Sequence, residues 1–347
     1  MDPEITLLAV GDLILGDHPH YLGLGVKSLI DKKGIFIFQY VENVFFAADI
    51  IFGNLETALS DYGDNISCEN KILKGRPQFA KQLKKIRFNI LNIANNHIQQ
   101  HGKNTLLETV DVLLKNDIKI IGLNDLQPQI IFKKNISLGF LGYSFEPDRC
   151  DSKPVYAQGN EKKILSEIQK IKNKVDHTVV SLHWGDEYID IPSRKQIDLA
   201  HQLIDNGADI ILGHHPHALQ PIEKYKNGVV AYSLGNFVSD MCQNLTKKSA
   251  ILKLSLSKKS IDDIEIIPVC INKNYQPEIL TETIDNLQIT NAVTPLSDEK
   301  YSNLLKKNLI KNRMEYIKFL SRNFYKFKFS HLIWIIKSAI KRRFFNI

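Results

Sequence analysis

The sequence has few cysteines and no long hydrophobic run. Its four cysteines, Cys68, Cys150, Cys242 and Cys270, lie far apart and lack CxxC spacing. This distribution excludes a disulfide scaffold and a thiolate metal site, and it predicts free thiols in a reducing compartment. No stretch reaches the roughly 18 to 20 apolar residues that span a bilayer. The N-terminal residues also lack the basic segment and cleavage site of a secretory signal, so we expect a cytoplasmic protein.

The basic charge of the chain is confined to its C-terminal part. Of the 347 residues, 24% are charged and 44% are hydrophobic, which argues against a disordered chain and against a polytopic membrane protein. The net charge is +7 overall, and residues 301–347 alone carry +11, with Glu315 as their single acid. Residues 1–300 therefore carry −4. Because this larger part is acidic and no RNA or DNA motif accompanies the basic part, we do not expect nucleic acid as a partner.

The pattern of apolar residues predicts an α/β protein. Short β-branched runs between Ile5 and Ile267 alternate with helical patterns between Pro77 and Asn206, and the later runs are joined by short connections. This mixture predicts two packed sheets covered by helices. We predict one domain over residues 1–270, a linker rich in Asn, Gln, Thr, Pro and Asp over 271–300, and a basic helical tail over 301–347.

Unusual polar residues follow the predicted strands almost every time. The segments that do so are Gly11-Asp12, Gly53 to Glu56, Asn95 to His97, His183 to Asp186, Gly213 to His217 and Ser233 to Phe237. In an α/β sheet, the carboxyl ends of the strands form the crevice where ligands bind, so these segments can converge. Carboxylates, an Asn and several histidines at one rim predict a metal centre.

Most of these segments can also be explained without a metal. Asp12 alone suits a turn, Asn95-Asn96 suits a helix cap, and His183-Trp184 suits a core aromatic beside a satisfied histidine. The run His214-His215-Pro216-His217 is different, because packing does not explain three histidines directly after a buried strand. Alternate residues of a His-x-His pair can reach neighbouring ions.

The motifs GDLILG, GNLET, ANNH, HWGDEY, GADIILGHHPHALQPIE and AYSLGNF together resemble those of a known family. They are similar to the CapA-type proteins of capsule (poly-γ-glutamate) biosynthesis, a branch of the calcineurin-like metallophosphoesterase superfamily. The resemblance covers roughly residues 5 to 240. It implies a metallophosphoesterase-like two-sheet sandwich flanked by helices (α/β/β/α), with a metal site at the strand ends.

The resemblance also implies roles for individual residues. The implied metal ligands are Asp12, Glu56, Asn96, His183, His215 and His217, with Glu56 in the bridging place and His97 as the catalytic histidine. Substrate contacts or supports of the ligands are expected at Asn54, Asn95, His214, Trp184 and Asn236. Three positions depart from the pattern of the superfamily or family, namely Ile14 for a His ligand, Gly16-Asp17 for a nearby Arg, and Gln100 for an Asp. The loss of a ligand at position 14 is compatible with a weakened or single-metal centre as well as with a two-metal centre.

The expected function is therefore a metal-dependent hydrolase acting on phosphate esters in capsule, polyglutamate or exopolysaccharide biosynthesis. One or two divalent ions (Mn, Zn, Fe or Ni) are expected, with an anionic polymer or a phosphate-containing molecule as the substrate. The alternative is a non-catalytic component that binds an anionic polymer within a membrane-associated synthesis or export complex.

The tail pattern is amphipathic. On a helix, Phe329, Leu332, Ile333, Ile336 and Ile340 share one face, and Lys337, Lys341 and Arg342 lie toward the other. This pattern predicts an interfacial helix that rests on an anionic membrane, which would place the protein at the inner membrane face. A helix whose apolar stripe docks on the main domain is the alternative.

Overall fold

The computed structural model describes residues 4–63, 69–147, 153–281 and 287–345. In chain order, the strands are β1 (Ile5–Leu13), β2 (Ile50–Leu55), β3 (Ala58–Leu59), β4 (Lys74–Gly75), β5 (Ile90–Asn92), β6 (Lys119–Ile121), β7 (Gln129–Lys133), β8 (Ile136–Ser144), β9 (His177–His183), β10 (Ile210–His214), β11 (Ile222–Tyr225), β12 (Gly228–Ala231), β13 (Asn236–Val238), β14 (Lys248–Leu256), β15 (Ile261–Ile271), β16 (Pro277–Ile279) and β17 (Ile289–Thr290). The α-helices are α1 (Val26–Lys33), α2 (Glu42–Phe46), α3 (Phe79–Lys85), α4 (Lys103–Lys115), α5 (Glu161–Ile171), α6 (Arg194–Asp205), α7 (Asp298–Asn323) and α8 (Phe329–Phe345).

Two mixed sheets form the centre of the molecule. The first has the order β16-β15-β14-β1-β2-β5-β6, with β13 also paired to the end of β1, and the second has the order β17-β11-β12-β10-β9-β8-β7. Strands β1, β2, β5 and β6 run parallel in the first sheet, as do β8, β9, β10 and β12 in the second. The predicted sandwich of two sheets is confirmed.

Three apolar layers hold the sandwich together. Along β1, Leu7 and Ala9 face the second sheet, whereas Leu8 and Val10 face the helices outside. This split follows from the alternation of side chains along a strand. Between the sheets, Phe52 stacks on Phe140 with 6.1 Å between ring centroids. The outer layers pack α1 to α4 on the first sheet and α5 and α6 on the second, which completes the α/β/β/α order.

Two strands that carry the site, β1 and β2, are longer than their apolar patterns indicated. The pattern in β1 stops at Val10, but the strand continues to Leu13 because β13 pairs in parallel with Asp12 and Leu13. Likewise, β2 runs on to Leu55 beside β1. A polar residue at the end of a strand is predicted as a loop from the sequence. The strand that pairs with it, and so lengthens the sheet there, lies far along the chain.

The residues of the predicted linker, 271–300, contribute to both sheets. Strand β16 pairs with β15 at the edge of the first sheet, and β17 pairs with β11 at the edge of the second. Both strands are too short to show periodicity in the sequence. The domain boundaries themselves stay a prediction. Of the predicted free thiols, Cys242 and Cys270 are free in the structure, and Cys68 and Cys150 lie outside the described residues.

The two C-terminal helices pack on loops of the main body. In α7, Tyr316 stacks on His20 with 3.6 Å between ring centroids, and Phe319 packs against Tyr21. In α8, the ring of His331 hydrogen-bonds to the carbonyl oxygen of Leu22 at 3.1 Å. Within the described residues, no helix combines the length and the apolar content needed to cross a membrane.

The predicted apolar stripe of the tail is not the face that docks. Phe329 is 78% exposed, Ile333 and Ile336 are also exposed, and Leu332 is half-buried. The docked face carries Ile335, which is 3% exposed. The side chains of Ile340, Lys341 and Arg342 lie outside those that the structure describes. Helix α8 therefore contacts the body through one face and presents much of the predicted stripe to solvent.

Candidate metal centre

Asp12 lies at the end of β1 and is fully buried among polar groups. Its Oδ1 accepts a hydrogen bond from Asn54 at 2.8 Å, and its Oδ2 accepts one from the backbone N–H of His215 at 3.1 Å. Two imidazoles face the same carboxylate, with Nδ1 of His214 3.3 Å from Oδ1 and Nδ1 of His217 3.5 Å from Oδ2. Each carboxylate oxygen of Asp12 therefore faces the ring of a histidine, and both histidines belong to the segment at the end of β10.

The electrostatics of Asp12 and His217 make them a charged pair. Burial by itself would raise the pKa of Asp12, but hydrogen bonds and positive charge from His214 and His217 lower it well below its usual value. Burial would lower the pKa of His217, yet the negative charges of Glu56 and Asp12 raise it to about 10. Because a histidine must be neutral to bind a metal, an ion that binds here displaces a proton from His217.

Glu56 follows β2 and lies among three imidazoles. Its Oε1 is 3.5 Å from Nε2 of His183, 3.7 Å from Nε2 of His217 and 3.9 Å from Nε2 of His97. The side chain of Glu56 is fully buried. A buried carboxylate that faces several ring nitrogens is well placed to share a cation with them.

Two sets of donor atoms share Glu56. One set consists of Glu56, His183 and His215, and the other of Asp12, Glu56 and His217. Within each set, the donor atoms lie within 4.8 Å of one another. The sets come from distant parts of the chain, and a carboxylate common to both is the arrangement that a bridging ligand requires. The geometry therefore places two groups of possible metal ligands side by side, with Glu56 common to both.

His183 is oriented by two amides. Its Nδ1 lies 3.3 Å from Nδ2 of Asn54, and its Nε2 lies 3.1 Å from Oδ1 of Asn96. Asn54 is held in turn by Asn92, whose Nδ2 donates to its Oδ1 at 2.9 Å. Burial, together with the charge of His215, lowers the pKa of His183 well below its usual value. A neutral His183 therefore directs Nε2 at the same point as Glu56 and Asn96.

His97 is held at the rim by its own loop. Its Nδ1 lies 2.7 Å from Oε1 of Gln100, and its backbone N–H donates to Oδ1 of Asn95 at 3.2 Å. Asn95 also donates to the carbonyl oxygen of Leu55 at 2.8 Å, which ties this loop to the end of β2. Gln100 thus takes the place that the resemblance assigns to an Asp, and it still orients the ring.

Backbone geometry brings the ligand loops together. His215 and His217 have φ values of +95° and +53°, which are uncommon for residues other than glycine. Such strain persists only where surrounding contacts hold it, and it is frequent at functional sites. Asn236 Oδ1 lies 2.9 Å from Nδ1 of His217 and fixes that ring. At Gly11, a Cβ atom would lie 1.9 Å from the carbonyl oxygen of Gly235, so only glycine allows this approach beside Asp12.

The donor set fits a divalent cation. It combines carboxylates, imidazoles and an amide oxygen, and no cysteine is among the donors. These ligand types suit zinc, manganese, iron or nickel. Ile14 makes no contribution, since its buried side chain packs with Leu73, Met241 and Tyr188 in a small apolar cluster.

The part of the chain that carries the donor residues is also the part that resembles known proteins. Residues 6–241, which include all the donors above, match the bacterial capsule synthesis protein family PGA_cap. The chain belongs to this family. The predicted recognition is therefore confirmed for the family.

Several relatives of this PGA_cap protein are similar over most of its length. The PGA biosynthesis protein CapA of Bacillus subtilis is 30% identical over 305 residues, which cover 84% of this chain and 78% of the relative. The capsule biosynthesis protein CapA of Bacillus anthracis is 30% identical over 308 residues, covering 84% and 73%. A probable polyglutamine synthesis accessory protein of Mycobacterium tuberculosis is 25% identical over 217 residues, covering 56% of each chain.

One predicted site residue of this PGA_cap protein lies in the core instead. The ring of Trp184 stacks with Tyr232 under α6, and its indole N–H donates to the carbonyl oxygen of Tyr232 at 3.1 Å. The side chain that follows His183 points to the other face of the sheet, because side chains alternate along an extended segment. The remaining predicted residues lie together around Asp12 and Glu56.

Two carboxylates of the site were missed in the sequence. Glu146 Oε2 lies 3.5 Å from Nε2 of His215, and Glu187 shares a donor set with His215 and His217. Glu146 comes two residues after the end of β8, and Glu187 lies in the HWGDEY segment after β9. The rule that polar residues follow strands would have found both if it had been applied to every strand and to the whole of each segment.

Proposed function

We propose that this protein is a metal-dependent hydrolase that cleaves phosphate esters in the biosynthesis of capsule, polyglutamate or exopolysaccharide. The observation that supports the chemistry is the position of Glu56 in two donor sets at once. Membership of the PGA_cap family and the names of the relatives support the pathway. The substrate class follows from the chemistry of two adjacent divalent cations, which suits displacement at phosphorus.

Each cation would have its own set of ligands, with Glu56 common to both sets. Asp12, Glu56 and His217 would hold one, and Glu56, His183 and His215, with Asn96 beside them, would hold the other. When bound, the ions supply activation of water and neutralisation of charge on the phosphoryl oxygens. The protein's share is to orient the ligands, which Asn54 and Asn236 do through their contacts to His183 and His217.

His97 is the group that moves a proton in this proposal. Oε1 of Gln100 can only accept, so Nδ1 of His97 holds one proton and Nε2 holds the exchangeable one in the imidazolium form. Nε2 is on the side of Glu56, next to the candidate cation positions. From there, it can donate its proton to the oxygen of the leaving group as the ester bond breaks.

A test compares three single substitutions in purified full-length protein. The substrate is bis(p-nitrophenyl) phosphate with Mn²⁺, and binding of Mn²⁺ is measured separately by calorimetry. We expect His97→Ala to lower kcat by about 10²- to 10⁴-fold while it retains Mn²⁺. His215→Ala should lose turnover and bind less Mn²⁺, because it breaks one of the two donor sets. His201→Ala is the matched control, because His201 pairs with Glu223 outside the donor sets.

The competing function is a non-catalytic component that binds an anionic polymer. The same experiment separates the two functions, since Mn²⁺ binding without turnover on any phosphomonoester or phosphodiester would reject the hydrolase and favour the binding role. Retention of full turnover in His215→Ala would reject the assigned centre itself.

A further inference from the structure

Glu187 lies on the solvent side of the candidate metal centre. Its carboxylate is within 4.8 Å of ring nitrogens of both His215 and His217. It is half-buried, whereas Glu56 is fully buried. His215 belongs to one of the two donor sets that share Glu56, and His217 belongs to the other. Glu187 therefore borders both cation positions, as Glu56 does from the buried side.

Helix α7 holds the residues on either side of Glu187. The hydroxyl of Tyr301 donates to the carboxylate of Asp186 at 2.9 Å, and Nδ2 of Asn308 donates to the carbonyl oxygen of Tyr188 at 2.8 Å. Tyr188 has a φ of +66°. A loop residue between two neighbours that are fixed by hydrogen bonds has a defined orientation. Such support is typical of metal ligands and is absent from mobile surface carboxylates.

Charge balance gives Glu187 a reason to bind. A pair of divalent cations carries more positive charge than Asp12 and Glu56 can neutralise, because histidine is neutral when it binds a metal. We propose that Glu187 is a ligand at the solvent side of this centre, with Tyr301 and Asn308 as the residues that position it. This inference rests on the proposed metal centre, and it assigns a function to the contact between α7 and the main body.

The experiment measures metal affinity, so that turnover is not needed for its result. Protein freed of metal is titrated with Mn²⁺ alone by calorimetry. The variants are Glu187→Gln, Asn308→Ala and the matched control Asp190→Asn, an exposed acid in the same loop. We expect Glu187→Gln to weaken Mn²⁺ binding about 10- to 100-fold, Asn308→Ala to weaken it less, and Asp190→Asn to leave it unchanged. The circular dichroism spectrum of metal-free Glu187→Gln should match that of the original protein, which would show that the variant is folded.

The outcomes separate this inference from the function on which it rests. Unchanged Mn²⁺ affinity in Glu187→Gln, together with reduced binding in His215→Ala, overturns the role of Glu187 and leaves the metal centre standing. A protein that binds no Mn²⁺ before substitution overturns both. An equal loss of affinity in Asp190→Asn also overturns the inference, since the effect would then be one of general surface charge.

A different observation concerns the outer surface of the C-terminal helices. On α7, Ile310, Met314 and Ile317 have i, i+4, i+7 spacing and are all exposed, with Ile310 at 66%. Asn312, on the opposite face, is buried. On α8, Phe329, Ile333 and Ile336 repeat the same spacing and are exposed. We call these six residues the outer apolar rows.

Cations flank the outer apolar rows. On α7, Lys306 and Arg313 lie on one side of the row, and Lys307 and Lys318 lie on the other, all of them exposed. On α8, Lys337 is exposed beside Ile333 and Ile336. An apolar row between two rows of cations matches the cross-section of a bilayer surface, where acyl chains lie beneath anionic headgroups. Two copies of this face would bring like charges together, which disfavours a symmetric dimer.

We infer that the outer apolar rows bind the surface of an anionic lipid bilayer and hold the protein there as a peripheral component. Full-length protein is floated with vesicles of phosphatidylglycerol and phosphatidylcholine, and with vesicles of phosphatidylcholine alone. The test variant carries Ile310→Ser, Met314→Ser and Ile317→Ser. The matched control is Phe132→Ser, which removes a side chain that is 73% exposed on β7.

We expect binding at least about tenfold stronger to the anionic vesicles, weakened by salt and by the triple substitution but not by Phe132→Ser. Equal binding to both vesicle types, or no binding to either, overturns the inference. A chain that is dimeric by light scattering and becomes monomeric in the triple variant also overturns it, because a second copy would then cover the rows.

Discussion

The candidate metal centre and the C-terminal helices depart from the ordinary distribution of side chains in opposite ways. Around Glu56, carboxylates and imidazoles are buried, and on α7 and α8 large apolar side chains are exposed. Buried charge and contiguous exposed apolar surface are both informative, because folding alone favours neither. The comparison teaches that the buried groups of the candidate centre pair with one another inside the protein, whereas the outer apolar rows are exposed on the folded chain.

The largest expected change in stability is at Asp12, in the buried cluster around Glu56. Replacing Asp12 with Ala leaves His217 charged and removes the acceptor of the His215 N–H, so we expect a loss of about 3 to 5 kcal/mol in the free energy of unfolding. Urea denaturation of metal-free protein measures it. Asp111→Ala is the control, because its exposed pair with Lys115 is worth only about 0.5 kcal/mol. A loss below about 1 kcal/mol at Asp12 would show that the site is not held together by charge.

Adding metal should strengthen the same region. Excess Mn²⁺ at about 100 times its Kd should raise the free energy of unfolding by about 2.7 kcal/mol for each ion bound, because only the folded chain assembles the donor sets. Thermal unfolding with and without EDTA measures the change. The increase should be smaller in His215→Ala, which retains only the donor set of Asp12, Glu56 and His217, and it should be unchanged in His201→Ala. A full increase in His215→Ala would point to a cation bound elsewhere.

Substitutions on the two faces of α7 should differ in their effect on stability, by less than the effects above. Tyr316→Ala removes the stack on His20 and should cost about 1 kcal/mol, whereas Ile310→Ser on the outer face should change stability by less than about 0.5 kcal/mol. Urea denaturation of the two variants side by side provides the measurement. Equal losses would mean that the outer face packs on the body in solution.

The smallest expected effect concerns a buried acid near the tail contact. Burial, and then the negative charge of Asp17, raise the pKa of Asp240 well above its usual value. A carboxyl with a raised folded pKa binds more protons when folded, so its contribution to stability is present at acid pH and is lost as the pH rises through that folded pKa. Asp240→Asn should therefore raise the melting temperature by about 2 °C at pH 8 and by less at pH 4. A larger gain at pH 4 than at pH 8 would contradict the assignment.

Much of the candidate site could be predicted from local patterns. Asp12, Glu56, Asn96 and His183 each lie at or just after the end of a strand that its β-branched residues reveal. The three histidines at and just after the end of β10 have no packing explanation. Because the carboxyl ends of parallel strands meet at one edge, the order of these segments already implied that they converge. The two-sheet fold could be expected for the same reason, together with the family resemblance.

What the sequence determined by itself was therefore the longer strands of the two sheets, the polar residues at their ends and the amphipathic spacing in α8. Only the tertiary structure decided that Trp184 faces the core, that Glu146 and Glu187 reach the histidines, and that α8 docks through Ile335 and exposes Phe329. The physical reason is that periodicity encodes which side of an element is apolar, but the partner that covers that side is set by chain segments far away in sequence. A loop carboxylate has no periodicity at all, so its role is visible only once the fold has placed it beside the groups with which it pairs.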